Sequence, residues 1–258
     1  MLFEDWDSIY SQIANDLSLS KDRDEYAADV MEEMMKKRKK TEVDELDKRL
    51  RGKFAVVFGA GPSLKDDARD FEKPNDRFAV LAADGAAECL MSYGKRPDVI
   101  VTDLDGNIGY ILEASRQGSL IVVHAHGDNI HLLRKYVDLF EGDIIATTQV
   151  KERMHVHNFG GFTDGDRAAV ISASFGASSI ILAGMDFGDY VGRYSKPYLV
   201  QEVKADARKA IKLKWGKRIL EMLAQREVER IKFFNATLAG EELKGYKRIR
   251  IDELGEIE

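Results

Sequence analysis

The 258-residue chain has one cysteine, four prolines and no apolar run of membrane-spanning length. The lone Cys89 excludes an intramolecular disulfide and any cysteine-built zinc site. It falls in an expected helix over 84–93, where a packed thiol is the natural reading. No basic-then-apolar leader opens the chain, which predicts a soluble, cytoplasmic protein without membrane contact. Basic residues are in deficit, 39 against 45 acidic, for a net charge of −6. That leaves no cationic excess to meet a nucleic-acid backbone. No serine sits in a G-x-S-x-G elbow, and no H-E-x-x-H pair is present. No lysine and serine follow a glycine loop in the register of a Walker A motif, and Leu64 stands where a dinucleotide fingerprint needs its third glycine. Internal repeats and low-complexity stretches are also missing.

What remains is a chain 44% hydrophobic and 33% charged, enough for a large core under a well-solvated surface. Residues 1–50 are helical in period: Trp6, Ile9, Ile13 and Leu17 share one stripe. A second helix is expected over 22–40 with Tyr26, Val30 and Met34 inward. Its basic end, 36–40, suits a solvated helix C-terminus. From Lys53 the pattern changes. Short apolar strands are expected at 54–58, 78–83, 99–102, 120–124, 144–147, 179–183 and 231–235. Helices are expected at 108–117, 130–140, 163–175 and 203–229, with a short one near 240–243 and a loop over 186–201. This alternation predicts an α/β fold: a mostly parallel, Rossmann-like sheet with helices on both faces. The expected organisation is a helical N-terminal subdomain (1–50) followed by an α/β domain (51–258). The N-terminal helices and the long helix also offer surfaces for a homodimer.

Acidic residues follow several strands. Asp103 and Asp105 end the 99–102 strand one residue apart; Asp84 follows 78–83, and Asp128 follows 120–124. In a parallel sheet these ends share one edge, where ligands bind. Oxygen donors clustered there suit Mg2+ carrying a polyphosphate. Each aspartate alone also suits a helix cap, but two carboxylates are more than one helix start needs. The turn Gly59-Ala60-Gly61-Pro62-Ser63 could cradle phosphate or simply be a tight strand-to-helix turn. The segment 158–167 places Gly160, Gly161, Asp164, Asp166 and Arg167 at a helix start, with Arg167 as a candidate phosphate clamp or a surface residue. Strand alternation puts His124 and His126 on one face, beside Asp128.

The ordered set FGAGPSL (58–64), ADGA (83–86), DLDGN (103–107), HAHGDN (124–129), GGFTDGDR (160–167) and GMDFG (184–188) resembles the archaeal 6-hydroxymethyl-7,8-dihydropterin pyrophosphokinases, across roughly 50–240. The same core is similar to thiamine pyrophosphokinase, from which this chain departs at Gly106, where that family has serine. The resemblance implies diphosphate transfer from ATP to the hydroxymethyl group of a reduced pterin, with AMP released. It implies Asp84, Asp103 and Asp105 as Mg2+ ligands, and Asp128 as a further ligand or acceptor of the alcohol proton. Gly59, Gly61, Pro62, Ser63, Gly160, Gly161 and Arg167 would hold phosphates, and Asp164, Asp166 or Asp186 would meet the pterin's guanidine-like edge. A metal-dependent glycosyltransferase and a non-catalytic nucleotide-binding protein are the alternatives.

Overall fold

The computed structural model describes residues 2–38, 43–237 and 240–257. Three helices lead: α1 (Trp6–Leu17), α2 (Lys21–Met35) and α3 (Asp44–Leu50). Strands and helices then alternate through β1 (Phe54–Phe58), α4 (Leu64–Asp70), β2 (Phe78–Ala83), α5 (Ala86–Ser92), β3 (Val99–Thr102), α6 (Ile108–Arg116), β4 (Leu120–Ala125), α7 (Ile130–Tyr136), β5 (Ile144–Thr148) and β6 (Val156–His157). After α8 (Asp164–Ser174) come β7 (Ser179–Ala183), β8 (Tyr190–Val191), β9 (Val203–Lys204), α9 (Ala207–Glu227), β10 (Lys232–Asn235) and β11 (Lys247–Arg248).

Nine strands form one parallel sheet in the order β11-β10-β7-β1-β2-β3-β4-β5-β6. The chain builds outward from β1 to β6, then crosses back to lay β7 on the other side of β1. That reversal is a topological switch point, where crevices open at strand C-termini. Strand residues alternate between two cores. Ala55, Val57, Leu81, Val101 and Val122 pack with α1, α8 and α9 on one face. Val56, Phe58, Val80, Ile100 and Ile121 pack with α2, α4, α5 and α6 on the other. The sheet is thus covered on both faces, as its continuous apolar strands require. Cys89 is buried there, and burial pushes its thiol up to about 11.

Several expectations change in detail. Helix α2 ends at Met35, and its inward face is Asp24, Ala27, Ala28, Met31, Glu32 and Met35. Tyr26 is exposed. Asp24 is drawn inward because it accepts from Gly127 N at 2.6 Å, Gln149 Nε2 at 3.1 Å and the Tyr10 hydroxyl. In the basic run, Arg38 donates to the carbonyls of Val137 and Phe140 at 3.0 and 2.6 Å, so it anchors the chain rather than facing solvent. Lys39 and Lys40 lie outside the described residues. The 130–140 helix turns into a 3-10 turn after Tyr136. The loop over 186–201 carries β8, which pairs antiparallel with β9, so the long helix begins at Ala207, with Asp206 as its cap. No helix forms over 240–243; a 3-10 helix follows at Ile251–Glu256 instead. No described helix is long and apolar enough to cross a membrane.

Candidate active site

The C-terminal ends of β7, β1, β2, β3, β4 and β5 open, in that spatial order, into a cavity of about 340 Å³. At its centre Asp84, Asp103 and Asp105 each present an oxygen, all within 4.8 Å of one another. Local backbone chemistry brings them together. Asp84 and Leu104 adopt left-handed φ of 43° and 69°, a conformation that costs a non-glycine residue about 1 kcal/mol or more and is typically kept where a site needs it. The buried Thr102 hydroxyl donates to Asp84 Oδ1 at 2.5 Å and accepts from Leu104 N at 2.8 Å. One hydroxyl therefore ties the end of β2 to the loop after β3. Gly106 is where the loop presses on Asp84: a Cβ there would lie 2.3 Å from Asp84 Oδ2. The glycine that departs from the thiamine enzymes is thus required by this close approach.

Histidines support the cluster from β4. His126 Nδ1 accepts from Asp128 N at 3.3 Å, which leaves the ring proton on Nε2, 3.3 Å from Asp103 Oδ2. Asn129 bridges the two loops, donating to Asp103 O and His124 O at 2.8 and 2.7 Å. His124 faces Arg167, which can only donate, so its Nε2 accepts and Nδ1 points to Thr147 Oγ1. Burial, then the Arg167 charge, holds His124 well below its usual range and hence neutral.

The electrostatics follow from crowding. Burial, then the charges of Asp103 and Asp105, pushes the Asp84 carboxyl up to about 8. Burial also opposes ionisation of Asp103, but the hydrogen bond from His126, with the nearby Lys196 charge, outweighs it and holds it well below the usual range. Asp105 is raised by burial and by Asp103. Such mutual repulsion among hard oxygen donors is relieved by a divalent cation, and three carboxylates at this spacing fit Mg2+. A cationic wall faces them: Lys196 pairs with Asp105, and Lys209, Lys212 and Arg208 project from the first turns of α9 into the same cavity. Burial, then repulsion by Lys196 and Lys212, lowers Lys209.

Thr102→Val should keep the strand, since valine has the same branched shape. It should weaken binding of a divalent cation about 10-fold or more by freeing Asp84 and Leu104. The measurement is Mg2+ affinity by calorimetry, beside the melting temperature.

Other sequence-derived candidates stand differently. The turn after β1 lines the cavity, but three of its four backbone donors point inward: Gly59 N to Ala183 O at 2.9 Å, Gly61 N to Gly184 O at 2.8 Å, and Ser63 N to Asp186 Oδ2 at 3.2 Å. Pro62 has no N–H to offer. The two glycines answer to packing, since a Cβ on Gly61 would lie 2.6 Å from Gly184 O and one on Gly59 2.7 Å from Met185 Cγ. Arg167 is neither on the surface nor in the cavity. It is 1% exposed and donates to Gly160 O at 3.4 Å and Phe162 O at 3.1 Å. Gly160 and Gly161 take left-handed φ of 85° and 86° around it. Asp166 accepts from Phe162 N, Thr163 N and Thr163 Oγ1, so it completes the capping box of α8 with Thr163 as the cap. Asp186 is engaged by Ser63. Asp128 is not gathered with the triad; it sits exposed between Arg23 and Arg208, at 3.6 and 3.9 Å. Asp164 lines the cavity, no hydrogen bond reaches it among the described residues, and burial, then Asp103 and Asp84, raises it well above the usual range.

Sequence reasoning did not find Lys196, Lys209, Lys212 or Arg208. The signal of Lys209 and Lys212 was present as lysines three apart at the start of a helix; Lys196 lies in a loop and carried none. Solvated helix faces carry the same spacing, so only the fold tells the two apart. Nor did it find that Asp24 holds Gly127, and through that loop His126, so that the N-terminal helices buttress the site.

Comparison with known proteins gives the family. Residues 28–192 match the family model described as 6-hydroxymethylpterin diphosphokinase MptE-like. Three curated archaeal proteins named 6-hydroxymethyl-7,8-dihydropterin pyrophosphokinase are similar along most of their length. The Methanothermobacter thermautotrophicus protein is 42% identical over 84% of this chain and 93% of its own. The Pyrococcus furiosus protein is 39% identical over 86% and 94%, and the Methanocaldococcus jannaschii protein 34% over 90% and 100%. Among solved structures, the MAf glycosyltransferase from Magnetospirillum magneticum AMB-1 superposes with a TM-score of 0.55 at 16% identity. The match covers 82% of this chain and 38% of that one, a likeness of fold alone. With a family model across more than half its length and relatives above 30% identity over most of it, the chain belongs to the MptE-like 6-hydroxymethylpterin diphosphokinase family.

Proposed function

We propose that the chain transfers diphosphate from ATP to the hydroxymethyl group of 6-hydroxymethyl-7,8-dihydropterin, giving AMP and the pterin diphosphate. Family membership supports the reaction, and the observation that carries it to these residues is the acidic triad facing a lysine wall in one cavity. The pterin alcohol oxygen attacks the β-phosphorus, the bond from that phosphorus to the bridging oxygen breaks, and AMP leaves with that oxygen. Asp84, Asp103 and Asp105 would hold Mg2+, which when bound neutralises charge on the phosphate oxygens. Lys209, Lys212 and Arg208 bind the polyphosphate and hold it in line with the alcohol. Such positioning and charge stabilisation supply most of the catalysis in phosphoryl transfer.

The alcohol proton needs an acceptor. Asp128 sits exposed between Arg23 and Arg208, apart from the triad, and so is poorly placed to take it. Asp164, raised by burial and without a hydrogen-bond donor among the described residues, is the better one. The switch point between β1 and β7 suits the nucleotide. The opposite end, over β4 and β5, then takes the pterin.

The test is incubation with Mg2+, ATP and the hydroxymethyl-dihydropterin, with nucleotide products resolved by chromatography. Equal amounts of AMP and pterin diphosphate are expected. ADP in place of AMP would overturn the reading, and consumption of a nucleotide sugar would move it to the glycosyltransferases.

A further inference from the structure

Residues 186–206 form a strap across the C-terminal edge of the sheet, and close backbone approaches seat it. A Cβ on Gly85 would fall 1.8 Å from Tyr194 O, and one on Gly192 would fall 2.4 Å from Gly61 O. The β8–β9 ribbon ties the two ends of the strap together. The strap is thereby pressed onto the turns after β1 and β2, and it delivers Lys196 to Asp105 Oδ2. Both side chains of this pair are 33% exposed, so they face the cavity rather than a packed interior.

We propose that Lys196 is a phosphate-binding residue that occupies Asp105 in place of the divalent cation until metal and nucleotide arrive together. The inference rests on the reading of Asp84, Asp103 and Asp105 as the metal site. Of the three clustered carboxylates only Asp105 pairs with an ammonium, so a divalent ion that all three can ligate is the stronger partner for them. An ammonium and a divalent cation repel each other at one carboxylate in a partly buried site, so metal entry displaces Lys196. The strap keeps the displaced side chain above the same cavity, beside Lys209, whose ammonium already suffers from the charges of Lys196 and Lys212. Three ammonium groups crowded there lack an anion, and the nucleotide's phosphates supply one. Metal alone therefore binds against Lys196, whereas metal with nucleotide binds with its help. By linkage each ligand raises the affinity for the other.

The test is titration of the full chain with Mn2+ by calorimetry, with and without a non-hydrolysable ATP analogue. Lys196→Met should bind Mn2+ alone about tenfold more tightly than the wild type. The enhancement of Mn2+ affinity by the analogue should shrink by a similar factor. Lys196→Gln should show the same gain with a polar side chain, and Lys196→Arg should retain the wild-type pattern. Mn2+ affinity unchanged or weakened in both neutral variants would overturn the proposal. Asp105→Asn separates the two levels. If it binds Mn2+ as the wild type does, the metal-site reading has failed and Lys196 loses its role with it. If it loses Mn2+ while the neutral Lys196 variants gain nothing, only the role of Lys196 is refuted.

Discussion

Asp105→Asn should lower turnover by a factor of about 10² or more while the protein remains folded, the scale expected when a preorganised electrostatic group is lost. The substitution is isosteric and exchanges one carboxylate oxygen for an amide nitrogen, which cannot ligate a hard cation. Asp105 is the triad member best suited to isolate that effect. Asp84 is buried and hydrogen-bonded to Thr102, and Asp103 carries the contacts with His126 and Asp105 N, so changes there disturb the loops as well. Asp105 is partly exposed and its side-chain partner is the ammonium of Lys196. A pair of that exposure contributes about 1 kcal/mol or less to stability. The melting temperature should therefore barely move. Steady-state AMP formation at saturating Mg2+ gives the rate, and a variant retaining more than about a tenth of it would remove Asp105 from the metal site.

Arg167→Ala should do the reverse and damage the fold first. Its guanidinium is enclosed among Gly160 O, Phe162 O and His124 Nε2, beneath the cavity floor. Deleting it leaves two carbonyls and an imidazole without their donor, opens a void of several side-chain atoms, and leaves Asp164 and Asp166 without their nearest positive charge. Losing one partner of a buried charged network costs about 3–5 kcal/mol. For a chain of this size that corresponds to a fall of roughly 6–15 °C in melting temperature. Arg167→Lys should recover only part of the loss, because an ammonium cannot reach two carbonyls and a ring nitrogen in one plane. A phosphate clamp would behave otherwise, with stability unchanged and KM for ATP raised. Thermal unfolding beside KM distinguishes the two outcomes.

These two residues show where local pattern stops being informative. Six of the seven principal strands were legible because each is a short apolar run bounded by turn residues with both faces buried, whereas β10 buries only one face and was read from its aromatic pair. The α1 stripe of Trp6, Ile9, Ile13 and Leu17 was legible for the same reason: helical period and burial are properties of a dozen consecutive residues. The acidic triad could be read in advance because parallel strands all end at one edge, so residues following different strands are brought together by topology alone.

Orientation was not legible. The turn after β1 has the composition of an anion cradle, yet three of its four donors are occupied by Ala183, Gly184 and Asp186, more than 120 positions away. Arg167 has the composition of a clamp, yet Gly160 and Gly161 wrap the chain around it and leave it no path to the cavity. Lys209 and Lys212 look like a solvated helix start until α9 is laid across the triad. The residue types and their order along the strands therefore determined the sheet, its two cores and the carboxylate cluster, since burial and strand direction follow from nearby sequence. Which backbone and side-chain donors face the cavity was decided only when segments far apart in the chain met, because a hydrogen bond or an ion pair depends on a partner that no local stretch contains.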